Sequence, residues 1–450
     1  MTDRSRSITS SIRKVRQRAA GIDIGATEHW VCVDPELSAQ PIRCFGGFTD
    51  DLVRLVGWLK DVGVETVAME ATGVYWRELY TRLEESGLEV MLVDPRRTRN
   101  PRGRKTDMQD CQWIWDLHSC GLLDGSYVPG PIVQKLRTYL RFRATRVEQA
   151  GVALKEMQRS LSLMNIKLQH VISDIGGETG QAIITAILAG ERNPKTLAKL
   201  RNYRCKQSEE IITRSLTGTW RREHVFLLRQ AHDDYRHHHA AIAECDRAIA
   251  ELIQALPAAS DNPPAGDRKR STGKNEFHFD AQQSVIHLTG IDMAAVDGIG
   301  PTTAMQLLGE IGFNLTPWPS SKAFCCWMGL CPNPKRSGGK HLGNLPTSAN
   351  RAARILRNAA MGLDGKKGEL ADFFRKMASR RGRAEAIKAT AHKLARIIYA
   401  LFRDRCSFDR EKLKRVMTPK AQRRRIEWLR QQAQHFGMSL TPQKEAECGC

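Results

Sequence analysis

The sequence lacks any long hydrophobic run. Nowhere in its 450 residues do roughly 20 apolar residues follow one another, as a membrane-spanning helix requires. The amino-terminal stretch MTDRSRSITSSIRKVRQR is polar and arginine-bearing, and it has no apolar centre of the kind found in secretory signals. We therefore expect a cytosolic protein.

The cysteines lack the paired spacing of a zinc site. Twelve are present at irregular intervals, without the CxxC elements that zinc ribbons and fingers use. Cys325, Cys326 and Cys331 lie in an apolar run, and Cys448 and Cys450 lie close to the end of the chain. We interpret them as reduced thiols rather than as disulfides or metal ligands.

Acidic residues are fewer than basic ones. Aspartate and glutamate number 49 against 70 lysines and arginines, a net charge of +21, and the excess is spread along the chain. Such a surface favours a polyanionic partner, because neutralising phosphates releases their counterions. The alternative is a soluble protein that is basic without binding nucleic acid.

The first part of the chain alternates strand and helix patterns. GIDIGATEHWVCVD predicts two antiparallel strands joined by a tight turn, and VETVAME and LEVMLVDP predict buried strands on either side of the helix GVYWRELYTRLEESG. After a basic tail at 1–19, we therefore predict an α/β domain at 20–128.

The remainder of the chain has helical spacing and few strand patterns. We predict a coiled-coil-like helical arm at 129–256, a flexible linker at 257–283, a mainly helical domain at 284–402 and a basic tail at 403–450. In VDGIGPTTAMQLLGEIG, a turn at Gly298 and Gly300 opens a helix, as in helix-hairpin-helix elements that offer N–H groups to phosphate. The arm's arginines either follow phosphates or form a solvated face, and these are Arg137, Arg141, Arg143 and Arg146.

Four acidic residues stand where a metal site would need them. Asp23 falls within a strand, Glu70 ends another, and Asp107 and Asp110 are spaced i, i+3 on one helix face. Carboxylates gathered from separate segments can hold two cations that grip the attacking and leaving oxygens of a phosphodiester. Alternatively, Asp107 caps its helix and Asp23 belongs to a turn.

A basic run directly precedes the paired aspartates. Its side chains would hold a nucleic-acid backbone beside the metals. They are Arg96, Arg97, Arg99, Arg102, Arg104 and Lys105.

Two ordered sets of motifs resemble the DEDD transposases of insertion sequences, the insertion sequence one-ten family, to which Piv-type DNA invertases are related. The first set is GIDIGATEHW, EATGVYW, KTDMQDC and GLLDGSYVP, and the second is VDGIGPTTAMQLLGEIG, FCCWMGLCPNPKRSGGK and SANRAARILRNAAM. The resemblance extends from about Ala20 to Phe402. It implies a RuvC-like (ribonuclease H-like) first domain and a serine transposase domain at the carboxyl end.

The family also implies a serine nucleophile, and the matching residue is Ser337 in PKRSGGK. The local sequence agrees, because Gly338 and Gly339 open the backbone while Lys335, Arg336 and Lys340 bring positive charge. Other serines are weaker candidates, since Ser320, Ser321 and Ser348 stand at helix starts, where serine commonly serves as N-cap. An ordinary glycine-rich turn is the alternative for this segment.

The resemblance implies further partners. These are Mg²⁺ or Mn²⁺ at the four carboxylates, donor and target DNA, a noncoding bridge RNA that pairs with both, and dimers that join into a tetramer. This chain departs from the compact family pattern in a long region from about Arg201 to Gln283 and in its basic tail.

Three other functions remain open from the sequence. A metal-dependent nuclease of Holliday junction resolvase type would use the four acids without Ser337. A nonenzymatic nucleic-acid-binding protein would use the acids only structurally. A tyrosine mechanism through Tyr75 is less favoured, because that residue starts an apolar helix, where we expect its ring to be packed.

Overall fold

The computed structural model describes residues 13–98, 106–259, 273–332, 334–338, 340–344, 350–413 and 419–439. The chain divides into two compact units, Met1–Pro129 and Gly130–Cys450. The ten cysteines of the described ranges are free thiols. None of the described helices is both long and apolar enough to cross a membrane.

The first unit is built on a five-stranded mixed sheet with strand order β3-β2-β1-β4-β5. Strand β1 runs antiparallel to β2 and parallel to β4, and β4 runs parallel to β5. The α/β fold expected from the alternating patterns is confirmed. The strands are β1 (Ala19–Ile24), β2 (Glu28–Val33), β3 (Ile42–Gly46), β4 (Thr66–Glu70) and β5 (Glu89–Val93).

Four helices accompany the sheet: α1 (Thr49–Asp61), α2 (Trp76–Glu85), α3 (Pro95–Thr98) and α4 (Asp107–Ser119). Alternate residues of β1 face opposite sides. Ile22 packs with Leu55 of α1 and Leu79 of α2, whereas Ala19 packs with Trp115 of α4. Helix α4 therefore covers the sheet face opposite to α1 and α2.

The second unit is mostly helical, as the sequence predicted. Two 33-residue helices, α5 (Pro131–Leu163) and α10 (Arg222–Gln254), pack antiparallel. Four short helices connect them: α6 (Leu168–Val171), α7 (Glu178–Leu188), α8 (Pro194–Ala198) and α9 (Glu209–Ser215).

The rest of this unit contains seven α-helices within the described ranges. They are α11 (Ala281–Thr289), α12 (Pro301–Ile311), α13 (Ser321–Trp327), α14 (Arg351–Met361), α15 (Glu369–Arg381), α16 (Arg383–Asp404) and α17 (Pro419–His435). Short 3-10 turns lie at Met293–Ala295 and Glu411–Leu413. The antiparallel pair β6 (Pro334–Ser337) and β7 (Lys340–Asn344) stands between α13 and α14.

The arginines of α5 form internal contacts that neither sequence alternative anticipated. Arg141 makes a bidentate ion pair with Glu310 of α12, and Arg137 donates to the carbonyls of Gly309 and Glu310. Arg143 is only 2% exposed and pairs with the equally buried Asp246 of α10. These contacts fasten α5 to α10 and α12, because each buried guanidinium needs a partner.

The buried pair also fixes the segment that leads into α11. Arg143 donates to the carbonyls of Asn275 and Glu276 and stacks over the Phe277 ring, with 3.9 Å to its centroid. The Asp246 carboxylate accepts from the backbone N–H of His278. The final part of the expected 257–283 linker is thus ordered, and residues 260–272 lie outside the described ranges.

We predict that Asp246→Ala destabilises the α5 and α10 pair by about 3–5 kcal/mol, because it leaves the Arg143 charge buried without its partner. Hydrogen exchange of the α5 and α10 amides measures the effect. Asp372→Ala is the control, since Asp372 pairs with Arg375 at an exposed site and its loss should cost under ~1 kcal/mol. Equal exchange in the two variants would contradict the prediction.

Candidate functional site

Two of the four predicted carboxylates lie on neighbouring parallel strands. Gly21 and Ile22 of β1 pair with Ala68 and Met69 of β4, so one further step of the same register brings Asp23 beside Glu70. The side chains of both acids point to the sheet face that α4 covers. Ile22 and Met69, which precede them, pack in the core on the other face, and successive residues of a strand face opposite sides. The sheet thus presents two acids on one face near the carboxyl ends of β1 and β4.

The other two carboxylates enter from α4. Thr106 is its N-cap, with a side chain that accepts from the Gln109 N–H, so Asp107 is the first helical residue and not the cap. Asp107 and Asp110 share the first turn, where their charge is favoured by the helix dipole.

Gly21 is the residue that lets α4 approach the sheet. A Cβ at this position would lie 2.2 Å from the Trp115 backbone nitrogen and 2.6 Å from the Cys111 carbonyl oxygen. No side chain fits in that space, so the backbone of α4 rests directly on β1. The first turn of α4 is thereby held close to Asp23, two residues further along the same strand face.

Glu70 is held by two threonines that the sequence reasoning missed. The Thr72 hydroxyl donates to Oε1 at 3.1 Å, and the Thr98 hydroxyl donates to Oε2 at 2.7 Å. Thr98 is buried at the end of the short helix α3. Thr72 lies two residues after Glu70, so the sequence places it near this acid. Nothing local in the sequence links Thr98 to the site.

The four acids influence one another electrostatically. Burial, together with the negative charges of Glu70, Asp107 and Asp110, raises the pKa of Asp23 to about 6. Even so, within the described ranges no three Asp, Glu, His or Cys side chains are arranged so that they could hold one ion. The predicted acids are brought together, but they do not form a closed coordination shell.

The basic run before α4 is only partly described. Arg96 is exposed, and its guanidinium pairs with Asp94 through two hydrogen bonds. The Arg97 side chain lies outside the described structure, as do Arg99, Arg102, Arg104 and Lys105.

Ser337 ends strand β6 in the second unit, and its side chain is exposed. It pairs with Lys340 across a tight turn in which Gly338 has φ of +54°, a conformation that favours glycine. The segment is therefore a β-hairpin with the serine beside its turn, rather than a loop. The side chains of Lys335, Arg336 and Lys340 are not among those described.

The N-cap role expected for the other serines is confirmed at Ser320. It is the N-cap of α13, and its side chain accepts a hydrogen bond from the Ala323 N–H. Ser348 lies outside the described residues. Tyr75 precedes α2 and is 47% exposed, so it is not packed as expected.

The glycines of the GIG turn have separate roles. Gly298 has φ of +91°, and a Cβ there would lie 3.0 Å from Leu363 Cγ, so this turn packs tightly beneath α14. Gly300 is the N-cap of α12, with Pro301 in the first turn. The glycine turn therefore opens a helix, as its sequence predicted.

Two family models match separate parts of the sequence, the first running from the first unit into the beginning of the second and the second lying within the second unit. Residues 20–166 match an IS110 DEDD model described as a transposase, and residues 293–370 match the model described as the transposase IS116/IS110/IS902 family. The first match contains all four carboxylates, and the second contains Ser337 and the GIG turn. No curated protein matches the sequence.

We predict that Gly21→Ala forces α4 away from β1 and destabilises the first unit by about 1–3 kcal/mol, because the new methyl group overlaps backbone atoms. Faster hydrogen exchange along α4 is the expected result. Gly57→Ala in α1 is the matched control, since no atom lies within 4 Å of its Cβ position and alanine favours a helix. Unchanged α4 protection in Gly21→Ala would refute the close approach.

A histidine in the last turn of α4 predicts that the stability of the first unit depends on pH. His118 is fully buried, and its Nε2 lies 3.0 Å from the Thr66 hydroxyl of β4. Burial and the nearby Arg16 charge lower the pKa of His118 from 6.5 to about 4. The unfolded chain therefore takes up this proton first as the pH falls, so His118 stabilises the fold above pH 6.5, and this contribution is lost between pH 6.5 and 4.

The loss should reach ~3.5 kcal/mol at most and ~2 kcal/mol by pH 5, following ~1.4 kcal/mol per pKa unit. Hydrogen exchange of the β4 amides at pH 7 and pH 5 measures it, corrected for the intrinsic exchange rates. His118→Gln should flatten the dependence, whereas His435→Gln, at an exposed position on α17, should leave it intact. An identical pH dependence in all three proteins would rule out this role for His118.

Proposed function

Because the chain carries the two transposase domains of the IS110 family, and is thus an insertion-sequence transposase acting on DNA, we propose that it cuts and rejoins DNA through Ser337. In this proposal the four carboxylates hold divalent metal beside the reacting phosphate. The first unit then contains the RuvC-like domain at 20–128, and residues 284–402 form the serine transposase domain with its helix-hairpin-helix-like element.

The carboxylate cluster is the observation that carries the metal part of the proposal. Asp23, Glu70, Asp107 and Asp110 supply hard oxygen donors, which suit Mg²⁺ or Mn²⁺. Burial and repulsion by the other carboxylates raise the pKa of Asp23, and a cation would offset the repulsion. When bound, divalent metal would supply Lewis-acid stabilisation of charge on phosphate oxygens. Thr72 and Thr98 keep Glu70 oriented for this task.

Ser337 supplies the nucleophile in this proposal. Its exposed position beside a hairpin turn leaves the hydroxyl accessible to a DNA backbone. Attack forms a bond between Oγ and phosphorus, breaks the bond to the departing strand oxygen and transfers the serine proton to that oxygen. The phosphoserine ester keeps the energy of the broken phosphodiester, so a strand hydroxyl can later attack it and release the serine.

Guidance and assembly complete the proposal. We infer that a bridge RNA pairs with donor and target DNA while the protein holds backbones, which suits a chain with a net charge of +21. The antiparallel α5 and α10 pair offers a long surface for dimerisation, and two dimers would form a tetramer. Positive side chains at Arg96 and in the PKRSGGK segment would bind DNA phosphates, together with the N–H groups near Gly298 and Gly300.

The competing function is a metal-dependent nuclease of Holliday junction resolvase type. It would need the carboxylate cluster alone, and the cluster is compatible with it. The exposed serine on a glycine hairpin favours the recombinase, because simple hydrolysis has no use for such a group.

We predict that Ser337→Ala abolishes strand exchange and the covalent protein–DNA adduct, because no other hydroxyl replaces the nucleophile. The assay combines the full chain with a plasmid that carries the element and its flanking DNA, and then detects new junctions and denaturation-resistant adducts. Asp23→Asn and removal of divalent metal by chelation should each lower both products by about 100-fold or more, since the transition-state charge loses its stabilisation.

Ser379→Ala is the matched control, an exposed serine on α15 that should retain full activity. Strand exchange at the control level in Ser337→Ala would overturn the serine mechanism. DNA cleavage that persists in Ser337→Ala but disappears in Asp23→Asn would favour the nuclease instead.

A further inference from the structure

The far end of the α5 and α10 pair carries a separate small structure. Helices α6 to α9 close this end, and we call residues 167–221 the arm cap. At about 1.5 Å per helical residue, Leu163 lies roughly 40 Å along α5 from Arg137, which contacts α12. The arm cap falls between the two family matches, which cover 20–166 and 293–370. Neither match accounts for it.

One segment of the arm cap is strongly basic. Residues 192–207 include six lysines and arginines and no acidic residue. None of the six pairs with a carboxylate anywhere in the described part of the chain. Arg137, Arg141 and Arg143 of α5, by contrast, pair with Glu310 or Asp246. This segment therefore keeps a positive potential that a polyanion would neutralise.

Two of the six cations have structural tasks, and four are left for a ligand. Arg192 donates to the Ile187 carbonyl and lies over the Trp220 ring, and Arg201 donates to the Gln207 carbonyl. The remaining four are exposed, and these are Lys195, Lys199, Arg204 and Lys206.

An exposed aromatic ring lies between these cations in the sequence and contacts one of them. Tyr203 is 81% exposed, unusual for a large ring with no described packing partner other than the neighbouring Arg204. The Arg204 guanidinium lies 5.3 Å from the ring centroid, and its Nε donates to the tyrosine hydroxyl at 2.9 Å. An aromatic face flanked by cations is the arrangement that stacks unpaired bases while binding their phosphates.

The turn that presents Tyr203 is fixed to the rest of the arm cap. The Asn202 backbone N–H donates to the Thr179 hydroxyl, and its side-chain amide donates to Glu178. The Asn202 side-chain oxygen accepts from the Arg204 N–H, and its carbonyl accepts from the Cys205 N–H. Because the turn is already ordered, stacking on Tyr203 would not have to offset the cost of ordering a loop.

A cavity of about 530 Å³ adjoins this turn. His170, Asn202, Lys206 and Gln207 line it and offer hydrogen-bonding groups. Its two acidic residues are already bonded, Asp174 to Lys274 and Glu178 to Asn202. The cavity therefore has room and donors for the polar edge of a base beside the Tyr203 ring.

We propose that the arm cap binds single-stranded nucleic acid, with an unpaired base stacked on Tyr203 and flanking phosphates held by Lys195, Lys199, Arg204 and Lys206. The ligand class is an unpaired loop or end rather than a duplex, because a base within a duplex already stacks on its neighbours. This binding uses neither Ser337 nor the carboxylates, so it is tested without DNA cleavage and fails or succeeds independently of the strand-exchange proposal.

The experiment measures fluorescence anisotropy of the full chain in a chelator with four labelled probes. These are an RNA hairpin with a loop of about eight nucleotides, the same hairpin in DNA, and a blunt duplex of each kind. Tyr203→Ala should weaken binding to the hairpin loops by ~5- to 100-fold and leave the duplexes unchanged. Phe226→Ala on α10, 59% exposed, is the aromatic control and should bind like the unmodified chain.

The cations are tested by salt dependence. Lys199→Gln with Lys206→Gln should lower the slope of log affinity against log salt by about 1 to 2 for the hairpins. Lys155→Gln with Lys376→Gln removes two exposed lysines elsewhere and serves as the control. Tighter binding of the RNA or of the DNA hairpin supports the proposal and identifies the strand.

The proposal would be overturned if Tyr203→Ala bound the hairpins as tightly as its control. It would also be overturned if the Lys199→Gln, Lys206→Gln variant had the same salt dependence as its control. An equal loss on loops and duplexes in Tyr203→Ala would also overturn it, because stacking on an unpaired base would then be absent. Binding of hairpin loops by Ser337→Ala at the unmodified level is expected whatever the outcome of the strand-exchange experiment.

Discussion

The candidate metal site depends on the direct contact between the backbone of α4 and Gly21. Only glycine allows the helix to come this close, since any Cβ would overlap the Trp115 nitrogen. At the other end of α4, His118 and Thr66 join the helix to β4. With the middle and the last turn of α4 fixed to the sheet, its first turn has little freedom in where it brings the aspartates.

This packing places like charges together at an energetic cost. Asp23 is half-buried beside three other carboxylates, and its pKa rises to about 6 as a result. Folded proteins accept such repulsion mainly where chemistry uses it. The threonines around Glu70 have a different effect, since their hydroxyls donate to its two carboxylate oxygens and fix the direction of the side chain. The cluster is thus both strained electrostatically and held in orientation.

The second unit uses its charges in two opposite ways. Near α12 the arginines of α5 are buried or paired, and they serve to join helices. In the arm cap four cations of residues 192–207 stay exposed and unpaired with carboxylates of the described chain, and one of them, Arg204, contacts an exposed tyrosine. A count of +21 in the sequence could not separate these uses, because pairing depends on which helices meet. Arg143 and Lys199 each add one positive charge to this count, yet Arg143 is buried in an ion pair and Lys199 is exposed to bind a ligand.

The sequence by itself indicated the alternating strands and helices of the first unit, the helical character of the second and the candidate acids, because side-chain periodicity, glycine turns and motif spacing are local properties. Ser337 followed from the family resemblance, and the β6–β7 hairpin was not predicted. The tertiary structure alone decided that Asp23 and Glu70 share a sheet face with α4, that Thr98 reaches Glu70, and that Ser337 lies beside a hairpin turn. These facts depend on strand pairing and backbone approach between distant segments. Thr98 and Glu70 are far apart in the chain, and only the folded sheet makes them neighbours.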